Sequence, residues 1–316
     1  MYDVMNSGHN RPRRSTAGQA TFQRPAVVTT VAELRRTVAA WRTQGERVAL
    51  VPTMGALHEG HLSLVGIGHA LCERVVVSIF VNPTQFAPSE DFDKYPRQPD
   101  ADLDLLGSVG TDLAFIPAVR EMYPRWPERL LTTVHVGALS DGLETRFRPG
   151  HFDGVATVVA KLLLQCLPDA AIFGEKDYQQ LQVIRRMVAD LDIPVDIVPG
   201  PTIRDAHGLA LSSRNAYLSA EQSRIARRLN QVLFALARQF EQNPDSAHIG
   251  AWLDWGRQEL ADAGFDSVDY LELRDADSLA SVTTLAKPAR LLAATRLGGI
   301  RLIDNIAVPA QPAPPA

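Results

Sequence analysis

Two histidines three residues apart are the first side chains in this sequence whose type and spacing suggest chemistry. They lie in VPTMGALHEGH, residues 51–61, where an apolar run stops at a proline and His58 and His61 follow. At a helix start such a pair would share one face, a turn apart. A helix N-terminus presents unpaired N–H groups and partial positive charge, which suits a phosphate. Gly55 allows an unusual backbone turn, and Gly60 a close approach by a ligand. The segment contains no GxxxxGK[ST] phosphate loop. The HExxH zinc pattern would need the second histidine one residue later. With no third ligand nearby, an H-x-x-H pair is a poor metal site. On these residues alone, a phosphate contact and a purely structural helix start stand level.

Three further polar clusters follow apolar runs or loops. NPTQF, residues 82–86, offers Asn82 and Gln85, neutral amides suited to a hydroxyl or carboxylate. FGEKDYQQ, residues 173–180, carries Lys176 to hold phosphate as a point charge and Asp177 to accept from ribose hydroxyls, with Gln180 a turn further on. LALSSRN, residues 209–215, puts Ser212, Ser213 and Arg214 in a loop that could close over phosphates. Each cluster taken singly also reads as an ordinary turn or helix start. Asp100, Asp102 and Asp104 could contribute to a divalent cation but are read as the solvated start of a helix.

Elements that could bring these clusters together are legible in the hydrophobic pattern. β-like runs at 47–51, 74–81, 112–117, 170–173 and 195–198 alternate with helix candidates at 31–44, 60–72, 100–109, 152–167 and 177–191. Continuous Val/Ile-rich strands separated by helices indicate a parallel sheet covered on both faces, a Rossmann-like doubly wound fold. Ligands of such sheets bind beyond the carboxyl ends of the strands, where three of the clusters sit. After residue 202 the pattern changes. A helix capped by Ser219 and Gln222 and another at 248–263 precede β-like runs at 268–275, 290–297 and 300–306, the last two joined at Gly298–Gly299. This is a smaller C-terminal α+β domain. The expected organisation is a disordered extension at 1–24, a larger domain at 25–202, a smaller one at 203–308 and a tail at 309–316.

Bulk properties remove several function classes. The 316 residues have 32 basic and 36 acidic side chains, a net charge of −4, which argues against a broad grip on nucleic acid. No stretch approaches the ~20 apolar residues of a membrane helix, and the N-terminus has no apolar signal segment. Cys72 and Cys166, both in apolar runs, read as buried reduced thiols, in keeping with a cytoplasmic location.

Taken together, PTMGALHEGH, SIFVNPTQF, FGEKDYQQL, GLALSSRN, DYLELRD and RLIDNI resemble the pantothenate synthetase (pantoate–β-alanine ligase) family, in order, over nearly the whole chain between the tails. The resemblance implies a nucleotidyltransferase core similar to that of class I aminoacyl-tRNA synthetases, with HEGH in place of their HIGH signature. It implies ATP-dependent joining of pantoate to β-alanine through pantoyl adenylate, with Mg²⁺ accompanying ATP, and a homodimer formed through the larger domain. By the same resemblance, ATP meets Met54, Gly55, Ala56, Leu57, His58, Glu59, Gly60 and His61, then Gly174, Glu175, Lys176 and Asp177, and finally Ile203, Leu211, Ser212, Ser213 and Arg214. Gln85 and Gln180 bind pantoate, with Gln85 also near β-alanine. His61, the position the family describes as proton donor, forms the catalytic set with His58 and Lys176, electrostatic stabilisation being the alternative role for His61, and no protein metal ligand is assigned. His207 stands where an acidic residue is common in the family. A sister adenylyl-transferring enzyme, or a nucleotide sensor without chemistry, is the competing expectation.

Overall fold

The computed structural model describes residues 23–87, 92–128, 130–242 and 248–310. Its first layer is a six-stranded, all-parallel sheet in the order β1-β4-β3-β2-β5-β6. The strands are β1 (Ala26–Val28), β2 (Val48–Thr53), β3 (Arg74–Ile79), β4 (Leu113–Phe115), β5 (Ala170–Gly174) and β6 (Asp196–Gly200). The helices of this part are α1 (Val31–Thr43), α2 (Glu59–Leu71), α3 (Pro99–Ser108), the short α4 (Val119–Met122) and α5 (Glu144–Phe147), α6 (His151–Cys166) and α7 (Tyr178–Asp190).

Strand alternation divides the core in two. Val48 and Leu50 of β2 face α1, α6 and α7, whereas Ala49 and Val51 face α2 and α3, and all four are at most 1% exposed. Burial on both faces is why these strands read as unbroken apolar runs. Cys72 and Cys166 are buried free thiols. No described helix is long and apolar enough to cross a membrane.

The chain continues through α8 (Ala220–Gln242) and α9 (Ile249–Asp262) into an antiparallel sheet of β7 (Ser267–Asp275), β8 (Ala289–Leu297) and β9 (Ile300–Val308). The expected capping box is present. Gln222 N donates to Ser219 Oγ at 3.1 Å, and Ser219 N to the Gln222 side chain at 2.9 Å. Gly298 and Gly299 both have positive φ, 58° and 78°, the conformation a two-residue hairpin turn needs. A second apolar core forms between α8, α9 and this sheet.

Two features depart from the sequence reading, and one expectation lies almost wholly outside the described residues. β1 is an additional edge strand, three residues long and largely exposed, too short to carry a periodic signal. The expected disordered extension lies outside the described residues except for Gln23 and Arg24. Arg24 reaches Asp104 at 2.6 Å and Asp100 at 2.8 Å. The second departure is a correction. Asp100 and Asp104 sit on the outer face of α3, but Asp102 is 1% exposed and is no part of a solvated helix start. Its carboxylate accepts from Ala56 N at 3.0 Å and Leu57 N at 2.8 Å. Residues two apart in a helix point in widely different directions, so one aspartate of the three turns inward.

Candidate active site

The site begins where the sheet splits. β2 pairs with β5 only at Ala49–Ala170 and Leu50–Ala171, yet both strands run on for three more residues. From β2 the chain turns through α2 to β3 on one side, and from β5 through α7 to β6 on the other. A crevice at such a switch point is the expected ligand position of an open parallel sheet.

Here the crevice is a cleft of about 220 Å³, and its lining includes Met54, His58, Gly60, His61, Asn82, Gln85, Gly174, Lys176, Asp177, Gln180, Ile203, Leu211, Ser212, Ser213 and Arg214. Its apolar wall is the face of α6 formed by Val155, Val158, Val159 and Leu162. It opens into a vestibule of about 460 Å³ beneath the β8–β9 hairpin, sharing Arg148, Lys176, Asp177, Ser212 and Arg214. Six basic residues line the vestibule (Lys94, Arg148, Lys176, Arg214, Arg296 and Arg301) against three acidic ones (Glu144, Asp177 and Asp304). This excess favours a polyanion.

The two histidines form a cap. His58 is the N-cap of α2, and its Nδ1 accepts from Gly60 N at 3.2 Å. His61, three residues on, returns the bond: its Nδ1 accepts from His58 N at 3.3 Å. The rings lie 4.1 Å apart, tilted by 43°. An imidazole whose Nδ1 accepts an N–H carries its own proton on Nε2 when neutral. Both rings therefore keep an Nε2–H donor beyond the cap. Burial, then the charge of Lys176, pulls His58 down to about 4. Burial, His58 and Lys176 pull His61 down to about 3. The Nδ1 edge of each ring is thus taken by the cap, and both residues line the cleft. Gly60 is required by this cap, since a Cβ there would lie 2.9 Å from the His58 ring.

The turn before the cap is unusual backbone. Gly55 has φ +82° and Ala56 φ +51°, and a Cβ on Gly55 would sit 3.0 Å from the Asp102 carboxylate. Ala56 and Leu57 are buried, with their N–H groups on Asp102, so they shape the turn while Met54 and the histidines reach the cleft. Glu59 is exposed on α2.

Opposite stands the β5–α7 turn, where Lys176 Nζ lies 3.8 Å from Asp177. Glu175 points away from the cleft, 3.3 Å from Arg290 of β8. The Asn82–Gln85 turn is held by α6 and by Tyr123. Asn82, 1% exposed, donates to Gln85 Oε1 at 3.0 Å and to Gly154 O at 3.2 Å, and accepts from the Tyr123 hydroxyl at 2.8 Å. Gln85 Nε2 donates to Met54 Sδ at 3.1 Å, a weak acceptor that an incoming oxygen would readily replace. The Ser212–Arg214 segment enters a short 3-10 turn, with Ser212 Oγ accepting from Arg214 N at 3.3 Å. Ser213 Oγ lies 3.2 Å from the Tyr95 hydroxyl.

Asp102, Tyr95, Arg148 and His151 had no assigned role in the sequence reading. His151 Nδ1 donates to Gln85 O at 2.9 Å, and its Nε2 faces Arg148 Nη1 at 3.1 Å. The cluster RFRPGH before α6 was the available signal, but residues 118–150 lack the periodicity that would have marked them.

A doubly wound sheet with a cation-lined crevice at its switch point defines a nucleotidyltransferase-like, phosphate-handling α/β protein. The sequence model of the pantoate-beta-alanine ligase family matches residues 26–307. The pantothenate synthetase of Paramagnetospirillum magneticum is 57% identical over 282 residues, 89% of this chain and 97% of that protein. That of Mesorhizobium japonicum is 56% identical over 288 residues, 91% and 99% of the two chains. The crystal structure of pantothenate synthetase from Thermus thermophilus superposes with a TM-score of 0.83 at 45% identity, covering 90% of this chain and 99% of its own. Pantoate-beta-alanine ligase from Francisella tularensis, solved with β,γ-ATP and β-alanine, gives 0.74 at 32% identity, covering 89% and 97%. The chain belongs to the pantoate-beta-alanine ligase family: it is an ATP-dependent ligase, and the family's reaction joins pantoate to β-alanine.

Proposed function

We propose that this crevice condenses (R)-pantoate with β-alanine in two steps, with His58, His61 and Lys176 as the groups that stabilise the first. A pantoate carboxylate oxygen attacks the α-phosphorus of ATP. The new O–P bond forms as the bond to the β-phosphate breaks, and pyrophosphate leaves. The β-alanine nitrogen then attacks the acyl carbon. The C–O bond to AMP breaks, the nitrogen gives up its proton, and pantothenate results.

The observation that carries this reading is the paired cap. It leaves each ring an Nε2–H donor, and both rings line one crevice with Lys176, where negative charge accumulates in the first step. Protonating either ring would set an Nδ1–H against the backbone N–H it now accepts, so both rings act as neutral hydrogen-bond donors. His61 stabilises the developing negative charge as a neutral donor and does not transfer a proton, since a neutral imidazole gives up its remaining proton only under strongly basic conditions. Gln85 and Gln180 bind pantoate without adding charge, and Gln85 extends to β-alanine. Met54, His58, Gly60, His61, Gly174, Lys176, Asp177, Ile203 and 211–214 form the ATP site, with Gly55, Ala56, Leu57 and Glu175 holding its turns from behind. The Ser212–Arg214 segment closes over the phosphates and keeps water from the adenylate.

Mg²⁺ supplies charge neutralisation when bound with ATP. The ion is carried mostly on triphosphate oxygens and water. Family membership supports the remaining assignments: a binding domain at 25–202 beneath a lid at 203–308, a homodimer and a cytoplasmic location.

Isotope exchange between pyrophosphate and ATP tests the reading. It is expected with pantoate present and β-alanine absent. Exchange driven only by a different acid would favour a sister enzyme, and ATP binding with no exchange at all a sensor. His61→Ala is expected to slow exchange far more than it weakens ATP binding; equal losses would reduce His61 to a nucleotide contact.

A further inference from the structure

The motif RLIDNI lies outside the crevice, yet it touches both segments expected to grip phosphate. Asp304 and Asn305 are neighbours on β9, so their side chains leave opposite faces of the strand. Asn305 is 3% exposed and fully engaged. Its Nδ2 donates to Glu175 O at 3.0 Å and Lys176 O at 2.8 Å, and its Oδ1 accepts from Arg290 Nε at 2.6 Å. Arg290 also stacks on Tyr178 at 4.2 Å and reaches Glu175, bracing the same turn. Asp304, 4% exposed, accepts from both terminal nitrogens of Arg204 at 2.6 and 2.8 Å. Arg204 donates in turn to Gly208 O at 3.1 Å and pairs with Ala210, closing the base of the loop that leads into Ser212–Arg214.

We propose that Asp304 and Asn305 are positioning residues that hold the Lys176 turn and the Ser212–Arg214 segment at a set separation. Asn305 acts through the main chain of Lys176, and Asp304 through Arg204. The C-terminal sheet is then part of the phosphate grip and not only its cover. The physical need is plain: Lys176 and Arg214 lie on loops 38 residues apart in sequence. Reacting groups misplaced by an ångström lose much of their effect. One strand gripping both loops removes that freedom.

The proposal rests on the ligase reading, and the test separates the two. Pantoate-dependent exchange turnover and ATP affinity are measured for Asn305→Ala, Lys176→Ala and the double variant, and for Asp304→Asn, Arg214→Ala and their double. Asn305→Ala is expected to lower turnover about 10- to 100-fold. In the Lys176→Ala background it should add less than about twofold, because its effect passes through that lysine. Asp304→Asn should behave likewise with Arg214→Ala, whereas Asn305→Ala and Arg214→Ala should multiply. Unchanged turnover in Asn305→Ala, or losses that multiply in every background as a general loss of stability would, overturns the proposal. If Asn305→Ala does not fold, Asn305→Ser, which keeps one donor, enters the same cycle. A wild-type chain without pantoate-dependent exchange would overturn the ligase reading alone: the clamp is then judged on ATP affinity, which Asn305→Ala should weaken in the wild-type background and change less than about twofold in Lys176→Ala, equal losses in both overturning it.

Discussion

At the scale of single residues, the site turns on how its polar atoms are divided between structure and ligand. His58 and His61 give Nδ1 to the backbone and keep Nε2–H. Nitrogen-detected NMR is expected to show the Nε2–H tautomer for both rings at neutral pH; an Nδ1–H signal from either would break the cap argument. Both rings titrate below the ordinary histidine value of 6.5, near 4 and 3. Between 6.5 and those values the unfolded chain binds more protons, so this contribution to stability is lost as pH falls. Urea midpoints of the ligand-free protein should therefore drop between about pH 7 and about pH 5, and drop less in His61→Asn; parallel slopes would refute this. Asp102 makes the same point without touching the cleft. Burial pushes its carboxyl up, against the pull of the Leu57 and Ala56 N–H groups. Asp102→Ala strands those donors, and a loss of about 2 kcal/mol in urea unfolding, with weaker ATP binding, is the expected result.

Among the elements, α6 does most to shape the substrate end. It supplies the apolar wall, and it also fixes the Asn82–Gln85 turn through a close approach at Gly154. A Cβ there would come within 2.4 Å of Thr84 O and 2.8 Å of Gln85 Cα. Backbone cannot give way as a flexible side chain can, so Gly154→Ala must push the turn off the helix. About 1–3 kcal/mol of stability should be lost, as for overpacking elsewhere, together with a raised KM for pantoate. Thermal melts and steady-state kinetics check both, and a variant with wild-type KM would mean that Gln85 does not depend on this contact. The helices and strands of the larger sheet were legible because buried strands read as apolar runs and capped helices show their period. The stretch 118–150, with α4, α5 and Arg148, was not legible, because short helices in irregular chain carry no period.

Across the whole molecule, a buried ion-pair network joins α5 to the C-terminal sheet. Arg301 of β9 donates to Glu144 of α5 at 2.6 and 2.9 Å and to Asp269 at 2.8 Å, and the Tyr270 hydroxyl donates to Glu144 at 2.6 Å. Burial alone would raise the Glu144 carboxyl, but the charge and hydrogen bonds of Arg301 hold it below the usual range. Its contribution is therefore present at neutral pH and lost as pH falls below the ordinary carboxylate value. Breaking one side of such a pair leaves a buried charge uncompensated, so Glu144→Gln should cost about 3–5 kcal/mol in thermal or urea unfolding at neutral pH. A loss under about 1 kcal/mol would mean that water already screens the network.

Residue types, local spacing and hydrophobic period are properties of short windows. From them the sequence by itself determined the alternating α/β architecture, the caps at Ser219 and the hairpin at Gly298, and the clusters that mark the site. Two things were decided only by tertiary structure, because each depends on atoms far apart in the chain. One is which edge of each histidine the backbone occupies, decided by mutual capping around Gly60. The other is which polar residues support the site from behind: Asp102 inside α3, Asn305 on β9 and Glu175 turned toward Arg290 have no local mark to separate them from solvated neighbours. Asp102 and Asn305 take these places because unpaired backbone groups elsewhere had to be satisfied once buried, whereas Glu175 answers the guanidinium of Arg290.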